Sequence, residues 1–321
     1  MSIRVTVARA CAAAALAAAG HATAQDAWPA KPVHLVIGLP AGAGADVVAR
    51  VVAASLGERL KQAVLVENRP GAAENIAMEA VAKSAPDGYT LFFAVSSLVI
   101  NPHIYKLRFD PMTELVPVSH VATAHFVLAA KPSLPAGSVS ELLTLAKTQP
   151  GRVTCAHSSG ALHIGCAWLK AQGGADITLV PYKGSNEALQ EVIAERTDLV
   201  FAVVHTAVSA AKAGRIKPLA TADPRRGIGP FGDLPTVAET LPGFALTAFL
   251  GVMAPAGTPR LVIATLNREI AAVLADPATR KRIEDSGLQV NGGTPEAFAE
   301  AIKRDYANYG RIIRETGIKV Q

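Results

Sequence analysis

The chain has 321 residues, of which 50% are hydrophobic and 18% charged, and its formal net charge is +5. That is long and apolar enough for one large or two medium domains with real cores, and it excludes a disordered chain. No Lys/Arg block interleaved with aromatics points to nucleic acid, and the mild positive excess suits an anionic ligand.

In chain order, the first segment carries Arg4 and Arg9, an Ala-rich apolar run from Cys11 to Gly20, and the small-x-small pattern Ala22-Thr23-Ala24. This is the layout of a signal peptide, with cleavage expected after Ala24 and a secreted mature protein. Loss of Arg4 and Arg9 leaves 29 basic against 26 acidic residues, a net +3. The run is too short to span a bilayer, and no later stretch reaches the roughly 18 uninterrupted apolar residues a membrane helix needs. Cys11 leaves with the signal, so Cys155 and Cys166 remain, and an even pair in an oxidising compartment permits one disulfide. With Cys155 on a strand and Cys166 in the following helix, whether the side chains meet with acceptable geometry is left open.

The stretch from Val33 to Arg50 reads as a buried strand, a small-residue loop and a helix in succession. Val33, Leu35, Val36 and Ile37 form the apolar run of a strand buried on both faces, and Asp46 opens an apolar-periodic helix as its N-cap. Free N–H groups at the helix start make a cradle for negative charge. A dinucleotide site is excluded because the third glycine position holds Val47, and a phosphate loop because no Lys lies between Lys31 and Lys61. Next come a strand over Val64 to Glu67, a helix over Ala73 to Lys83, a turn at Pro86-Asp87-Gly88 and a strand over Tyr89 to Ala94. Alternation of this kind predicts a parallel sheet, order 2-1-3, with Ser96 and Ser97 beside Gly42 to Asp46 at the switch point.

A second set begins near Phe126, with strands at Phe126 to Ala130, Val153 to Ala156, Thr178 to Val180, Leu199 to Val203 and Lys217 to Thr221. Helices are expected over Val139 to Thr148, Leu162 to Gln172 and from Ser185 to about Glu195, with the segment His205 to Ala213 between the last strands. His157-Ser158-Ser159-Gly160 makes a second small polar loop at a strand's end. The Gly- and Pro-rich stretch Asp223 to Gly243 marks a long loop, followed by a strand over Phe249 to Ala254. Two amphipathic helices close the chain, over Pro259 to Ala275 and Pro295 to Thr316, the second interrupted by Gly310. Val121 to Ala130 and Thr247 to Ala254 are the candidate crossings between two α/β lobes with a cleft between them.

Several ordered runs resemble the tripartite tricarboxylate transporter receptor family, the periplasmic solute-binding Bug proteins. They are Trp28-Pro29-x-Lys31-Pro32, the loop ending in Asp46, Glu67-Asn68-Arg69-Pro70-Gly71-Ala72, Ala85-Pro86-Asp87-Gly88-Tyr89-Thr90 and Ile100-Asn101-Pro102. They continue with Val180 to Ser185, Leu234 to Glu239, Ala254 to Pro259 and Gly292 to Glu296, and so cover essentially the whole mature chain. The resemblance implies an α/β, two-lobed periplasmic-binding-protein type II fold that closes on a small organic acid. It divides the chain into lobe 1 (25–124 plus 248–321) and lobe 2 (125–247), and implies a membrane transporter as a transient partner.

Carried over residue by residue, the implied ligand positions are Leu39, Gly42, Ala43, Gly44, Ala45, Asp46, Ser96, Ser97, Ser158, Ser159, Gly160, His163, Tyr182, Gly184, Ala202 and His205. Three departures narrow the ligand. Ala45 removes the hydroxyl before Asp46, Ala73-Glu74 replaces a Gly-Gly, and Ala202 stands where an Asp is common and could face a ligand amino group. These favour a plain mono- or dicarboxylate, an aromatic or hydrophobic body among the options, with His163 or His205 reaching its far end. Tyr182 either stacks on the ligand or fills the cleft wall.

No cofactor and no metal is expected, because His157, His163 and His205 have no carboxylate nearby at ligand spacing. Ser158 and Ser159 suggest a secreted α/β hydrolase as the rival reading, but no Gly-x-Ser-x-Gly elbow is present and His163 lies on the same loop and helix. A receptor for a sensor kinase is a third reading.

Overall fold

The computed structural model describes residues 28–158 and 160–318. The signal segment expected over residues 1–24, and Ser159, lie outside the described residues. The chain begins with β1 (Val33–Ile37), α1 (Gly44–Leu60), β2 (Val64–Asn68), α2 (Asn75–Ala82), β3 (Thr90–Val95) and α3 (Ser97–Ile104). The parallel pairings Val33↔Val64 and His34↔Thr90 give the order β2-β1-β3. Val33, Leu35, Val36 and Ile37 are all buried, as a strand covered on both faces requires.

A short α4 (Pro111–Glu114) leads into β4 (Leu115–Ala130), and after it come α5 (Val139–Thr148), β5 (Val153–His157), α6 (Ala161–Gly173), β6 (Ile177–Pro181), α7 (Ser185–Ile193), β7 (Leu199–Val203), α8 (Val204–Lys212) and β8 (Lys217–Thr221). The chain ends with β9 (Thr247–Pro255), α9 (Arg260–Ala275), α10 (Pro277–Asp285), β10 (Leu288–Val290) and α11 (Pro295–Thr316).

The 16-residue β4 joins two sets of strands. Its first part pairs antiparallel with β9, from Leu115↔Pro255 to His125↔Thr247, and on its other edge with β10 through Leu288↔Ala124. From Phe126 onward its partners are β7 and β8. β3 pairs antiparallel with β9, while β5 runs parallel to β6 and β7. α1, α3, α6, α7 and α8 each begin shortly after the C-terminal end of a strand, respectively β1, β3, β5, β6 and β7.

Aromatic packing fastens the C-terminal helix to both sets. Trp168 on α6 stacks on Phe244 with centroids 4.3 Å apart, and the Arg311 guanidinium of α11 lies 5.6 Å over the Trp168 ring. Phe298 of α11 fills the space left at Gly251, where a Cβ would fall 2.3 Å from its ring.

The structure corrects five local expectations. The first helix starts at Gly44, so Asp46 is in its first turn and not its cap. The helix expected from Ala73 starts at Asn75, because Ala72–Glu74 forms a separate 3₁₀ turn. The strand expected over Phe126 to Ala130 extends back to Leu115, since its polar positions pair across bulges with β9. The long loop holds two 3₁₀ turns, Gly229–Phe231 and Val237–Glu239, the second with a Thr236/Glu239 capping box. α11 runs unbroken through Gly310, whose missing side chain makes room for the ring of His103.

Candidate functional site

In the loop after β1, Val47 is the first N–H of α1 to reach a helical acceptor, the Ala43 carbonyl at 3.0 Å. Among the described residues the N–H groups of Gly44, Ala45 and Asp46 have no backbone acceptor, which leaves the positive end of a 17-residue helix open to an anion. A Cβ on Gly42 or Gly44 would meet nothing within 4 Å, so the loop borders open space.

Asp46 is 1% exposed and shapes this loop. Its carboxylate accepts from the Gly42 N–H (2.8 Å), Arg50 Nε (3.0 Å) and Asn68 Nδ2 (2.8 Å), while Asn68 Nδ2 also donates to the Leu39 carbonyl (3.0 Å). Burial works to raise the Asp46 pKa, but the bonds from Arg50, Gly42 and Asn68 outweigh it and hold the carboxyl below its ordinary value. The negative charge is therefore answered from inside the protein, and the free N–H groups remain available to a bound anion.

Ser96 and Ser97 follow β3. Ser96 Oγ accepts the Phe249 N–H at 3.1 Å, whereas Ser97 Oγ is buried without a partner. Beside Ser97 lies Glu74, whose backbone presses on Gly38: a Cβ at Gly38 would be 2.8 Å from Glu74 Cα. The ends of β1 and β3 are thus brought together around Gly38, Glu74 and Ser97.

On the second set, Gly160 precedes α6 with φ +71°, and Ile164 is the first N–H to find a helical acceptor. Among the described residues, the N–H groups of Ala161, Leu162 and His163 have no backbone acceptor. His157 and His163 stack with centroids 4.5 Å apart. Burial lowers both pKa values, for His157 against a bond to the Ser158 carbonyl and for His163 with the help of His157, so both rings are neutral at pH 7. Tyr182 is tied to this loop through its N–H, which donates to the His157 carbonyl (2.8 Å), while its hydroxyl reaches Glu191 at 3.5 Å. Gly184, the residue before α7, also opens on empty space. A disulfide joins Cys155 to Cys166 beneath this loop, answering the question left open by the sequence.

Ala202 is buried in β7 opposite Val127 and offers only a methyl wall. His205 is grouped elsewhere, in a pocket of about 560 Å³ with His125, Arg225, Glu284 and Gln289. There His125 Nδ1 lies 2.6 Å from Asp223 Oδ1 and Nε2 lies 2.8 Å from Gln289 Oε1. Burial opposes a charge on His125, but Asp223 and Gln289 outweigh it and raise its pKa. Local patterning does not offer as candidate positions Glu74 and Asn68, which lie beside the first loop, or the His125–Asp223 pair at the His205 pocket. For Glu74 the departure from Gly-Gly was the available signal, and for the others the pairing spans too much chain to be read locally.

The arrangement supplies oriented neutral donors at strand ends, and among the described residues no side chain is hydrogen-bonded to the Ser158 hydroxyl. Among the described residues no group of three His, Cys, Asp or Glu side chains could hold a metal, and no helix is long and apolar enough to cross a membrane.

Residues 48–318 match the model of the tripartite tricarboxylate transporter family receptor. The protein BugT of Bordetella pertussis is 32% identical over 306 residues, covering 92% of this chain and 92% of BugT. Among solved structures, Rpa4515 of R. palustris with adipate superposes with a TM-score of 0.81 at 30% identity, covering 92% of this chain and all of the other. MatC from Rhodopseudomonas palustris with bound malate superposes with a TM-score of 0.75 at 27% identity, covering 89% of this chain and all of MatC. The fold is that of the periplasmic binding proteins of this type, and the matched family consists of solute receptors, not enzymes. The chain belongs to the tripartite tricarboxylate transporter receptor family.

Proposed function

We propose that this receptor captures a small mono- or dicarboxylate in the periplasm, between lobe 1 (25–124 plus 248–321) and lobe 2 (125–247), and delivers it to a tripartite tricarboxylate-type membrane transporter. The observation that carries this reading is the open start of α1 at Gly44 to Asp46, whose N–H groups lack backbone acceptors among the described residues, together with the small polar loop before α6 on the second set. Affinity then comes from several oriented neutral donors, with closure of the lobes bringing the two loops onto one ligand. Adipate with Rpa4515 and malate with MatC support an aliphatic acid as the ligand class. Ala202 presents no carboxylate to an amino group, which favours plain acids over amino acids. The signal segment before Ala24 supports export.

A thermal-shift screen followed by calorimetry tests the reading, because a ligand that binds only the folded state raises its melting point. Adipate, malate and other dicarboxylates are expected to stabilise the protein more than amino acids of matched length. Tighter binding of the amino acids, or no response to any acid, defeats the proposal.

A further inference from the structure

Ala72, Ala73 and Glu74 hold φ values of 46°, 52° and 75°, three successive non-glycine residues in the left-handed region. Each such residue costs on the order of 1 kcal/mol or more, so the surrounding structure must hold the turn. It does so through Asn101 Nδ2, which donates to the Ala73 carbonyl and to Asn75 Oδ1, both at 2.7 Å. The result is to force Glu74 between the ends of two adjacent parallel strands. On one side is Gly38, where a Cβ would lie 2.5 Å from Glu74 Cβ, and on the other is Ser97 at the start of α3.

The side chain so placed is 7% exposed, and both Glu74 Oε2 and Ser97 Oγ are buried with no hydrogen-bond partner among the described residues. Among the described residues no cation forms an ion pair with it. On α1, Arg50 is bound to Asp46; on β1 and the end of β2, His34 and Arg69 are bound to Glu67; on α2, Lys83 is bound to Glu79; and on α3, His103 is bonded to the Tyr306 carbonyl. Burial pushes the Glu74 carboxyl up to about 7, and the nearby Ser97 hydroxyl works in the other direction without forming a well-shaped hydrogen bond. An acid group in this position is neutral at the pH where a free carboxylate ligand is charged, and a neutral acid is a donor.

We propose that Glu74 is a specificity-determining ligand contact, donating its carboxyl proton in a hydrogen bond to the bound acid so that receptor and ligand hold one proton between them. This rests on the carboxylate reading above and extends it to the protonation state recognised. An O–H···O⁻ bond is among the strong ones, and two adjacent carboxylates cannot both stay ionised. Binding above neutral pH therefore takes one proton from solvent for each ligand, and affinity falls as pH rises.

The test is calorimetry with the tightest-binding acid of a dicarboxylate panel that includes adipate and malate, on wild type, Glu74→Gln and Glu74→Gly. The amide keeps a donor but does not titrate, and glycine accepts the left-handed conformation without strain. Wild-type affinity is expected to fall about 30-fold between about pH 6 and about pH 8.5, while both variants stay nearly flat over that range. Wild-type heats at the upper pH are expected to differ between buffers of different ionisation enthalpy, reporting proton uptake. A flat wild-type profile, or a slope that survives in Glu74→Gln, overturns the proposal and leaves the carboxylate reading standing. Failure of every acid to bind at any pH overturns both. Carboxyl-selective NMR of the free protein adds a ligand-free check: a Glu74 resonance titrating in the ordinary glutamate range also overturns it.

Discussion

Gly287 sits against His205 so closely that an ideal Cβ on Gly287 would fall 1.8 Å from His205 Cβ. Gly287 turns α10 into β10 at φ +81°, and His205 lies in the first turn of α8, just beyond β7. β10 and β7 occupy the same edge of β4, meeting it at Ala124 and Phe126 on either side of the point where it changes partners. The contact therefore spans the two sets of strands. Gly287→Ala adds a methyl where there is neither room nor a favourable backbone, and is expected to cost about 1–3 kcal/mol in denaturant unfolding. Under the proposed closure of the lobes, which brings these elements together, ligand affinity is expected to fall with it. A loss below about 0.5 kcal/mol would show that the two elements do not depend on this contact.

Asp46 offers a second prediction, about the loop and not the crossing. Asp46→Ala removes the acceptor of the Gly42 N–H, Arg50 Nε and Asn68 Nδ2 together. Losing all three bonds to this buried carboxylate is expected to cost about 1–3 kcal/mol of stability and to weaken acid binding, because the loop loses the bond that sets its shape. Arg50→Ala removes only a half-exposed partner and is expected to cost about 0–1 kcal/mol. Equal effects of the two substitutions would contradict the central place given to the carboxylate.

The Cys155–Cys166 bridge closes a loop with a sequence separation of 11 and a Cα separation of 6.1 Å. Its removal in the Cys155→Ala/Cys166→Ala double variant is expected to lower stability by about 2–3 kcal/mol, through the freedom restored to the unfolded chain. The same bridge lies under the loop that carries Ser158 and His163, so a weaker response to ligand is expected alongside. Thermal melts of the variant, read with and without a binding acid, check both.

Local patterning reached the first α/β unit, the β2-β1-β3 order and most helices, because each depends on apolar spacing within one element. It stopped short at β4, where Pro117, Ser119, His120 and Thr123 break the alternation and the partners lie more than a hundred residues away on β9. α3 was also missed, since Pro102 sits inside it. The expected interruption at Gly310 failed for a packing reason: glycine is there to admit the His103 ring, not to end the helix. Gly310→Ala is accordingly expected to destabilise the protein by about 1–3 kcal/mol, against the gain of up to about 1 kcal/mol that alanine brings to an open helix. The small-residue loops of the site were legible as composition at strand ends. Glu74 was legible only as a departure, because its burial follows from Gly38 and Ser97, brought beside it by separate strands.

His120 and Glu74 predict opposite pH dependences of stability. Burial lowers His120 to about 4, against its bond to the Ala122 carbonyl and with repulsion from Arg304. Its ring also stacks on Phe298 with centroids 5.0 Å apart. The fold favours the neutral imidazole, so this contribution is complete above the unfolded value of 6.5 and is lost as pH falls toward 4. Glu74, raised to about 7 from an ordinary 4.5, contributes fully below 4.5 and loses that contribution as pH rises toward 7. Each is expected to shift stability by about 2–3 kcal/mol across its window. Denaturant unfolding of wild type against His120→Gln should show a difference that changes between pH 6.5 and 4. The same comparison against Glu74→Gln should change between pH 4.5 and 7, in the opposite sense. If the Glu74→Gln difference is flat across that window, the carboxyl titrates normally in the fold, and its burial between Gly38 and Ser97 no longer explains a neutral donor at the ligand site.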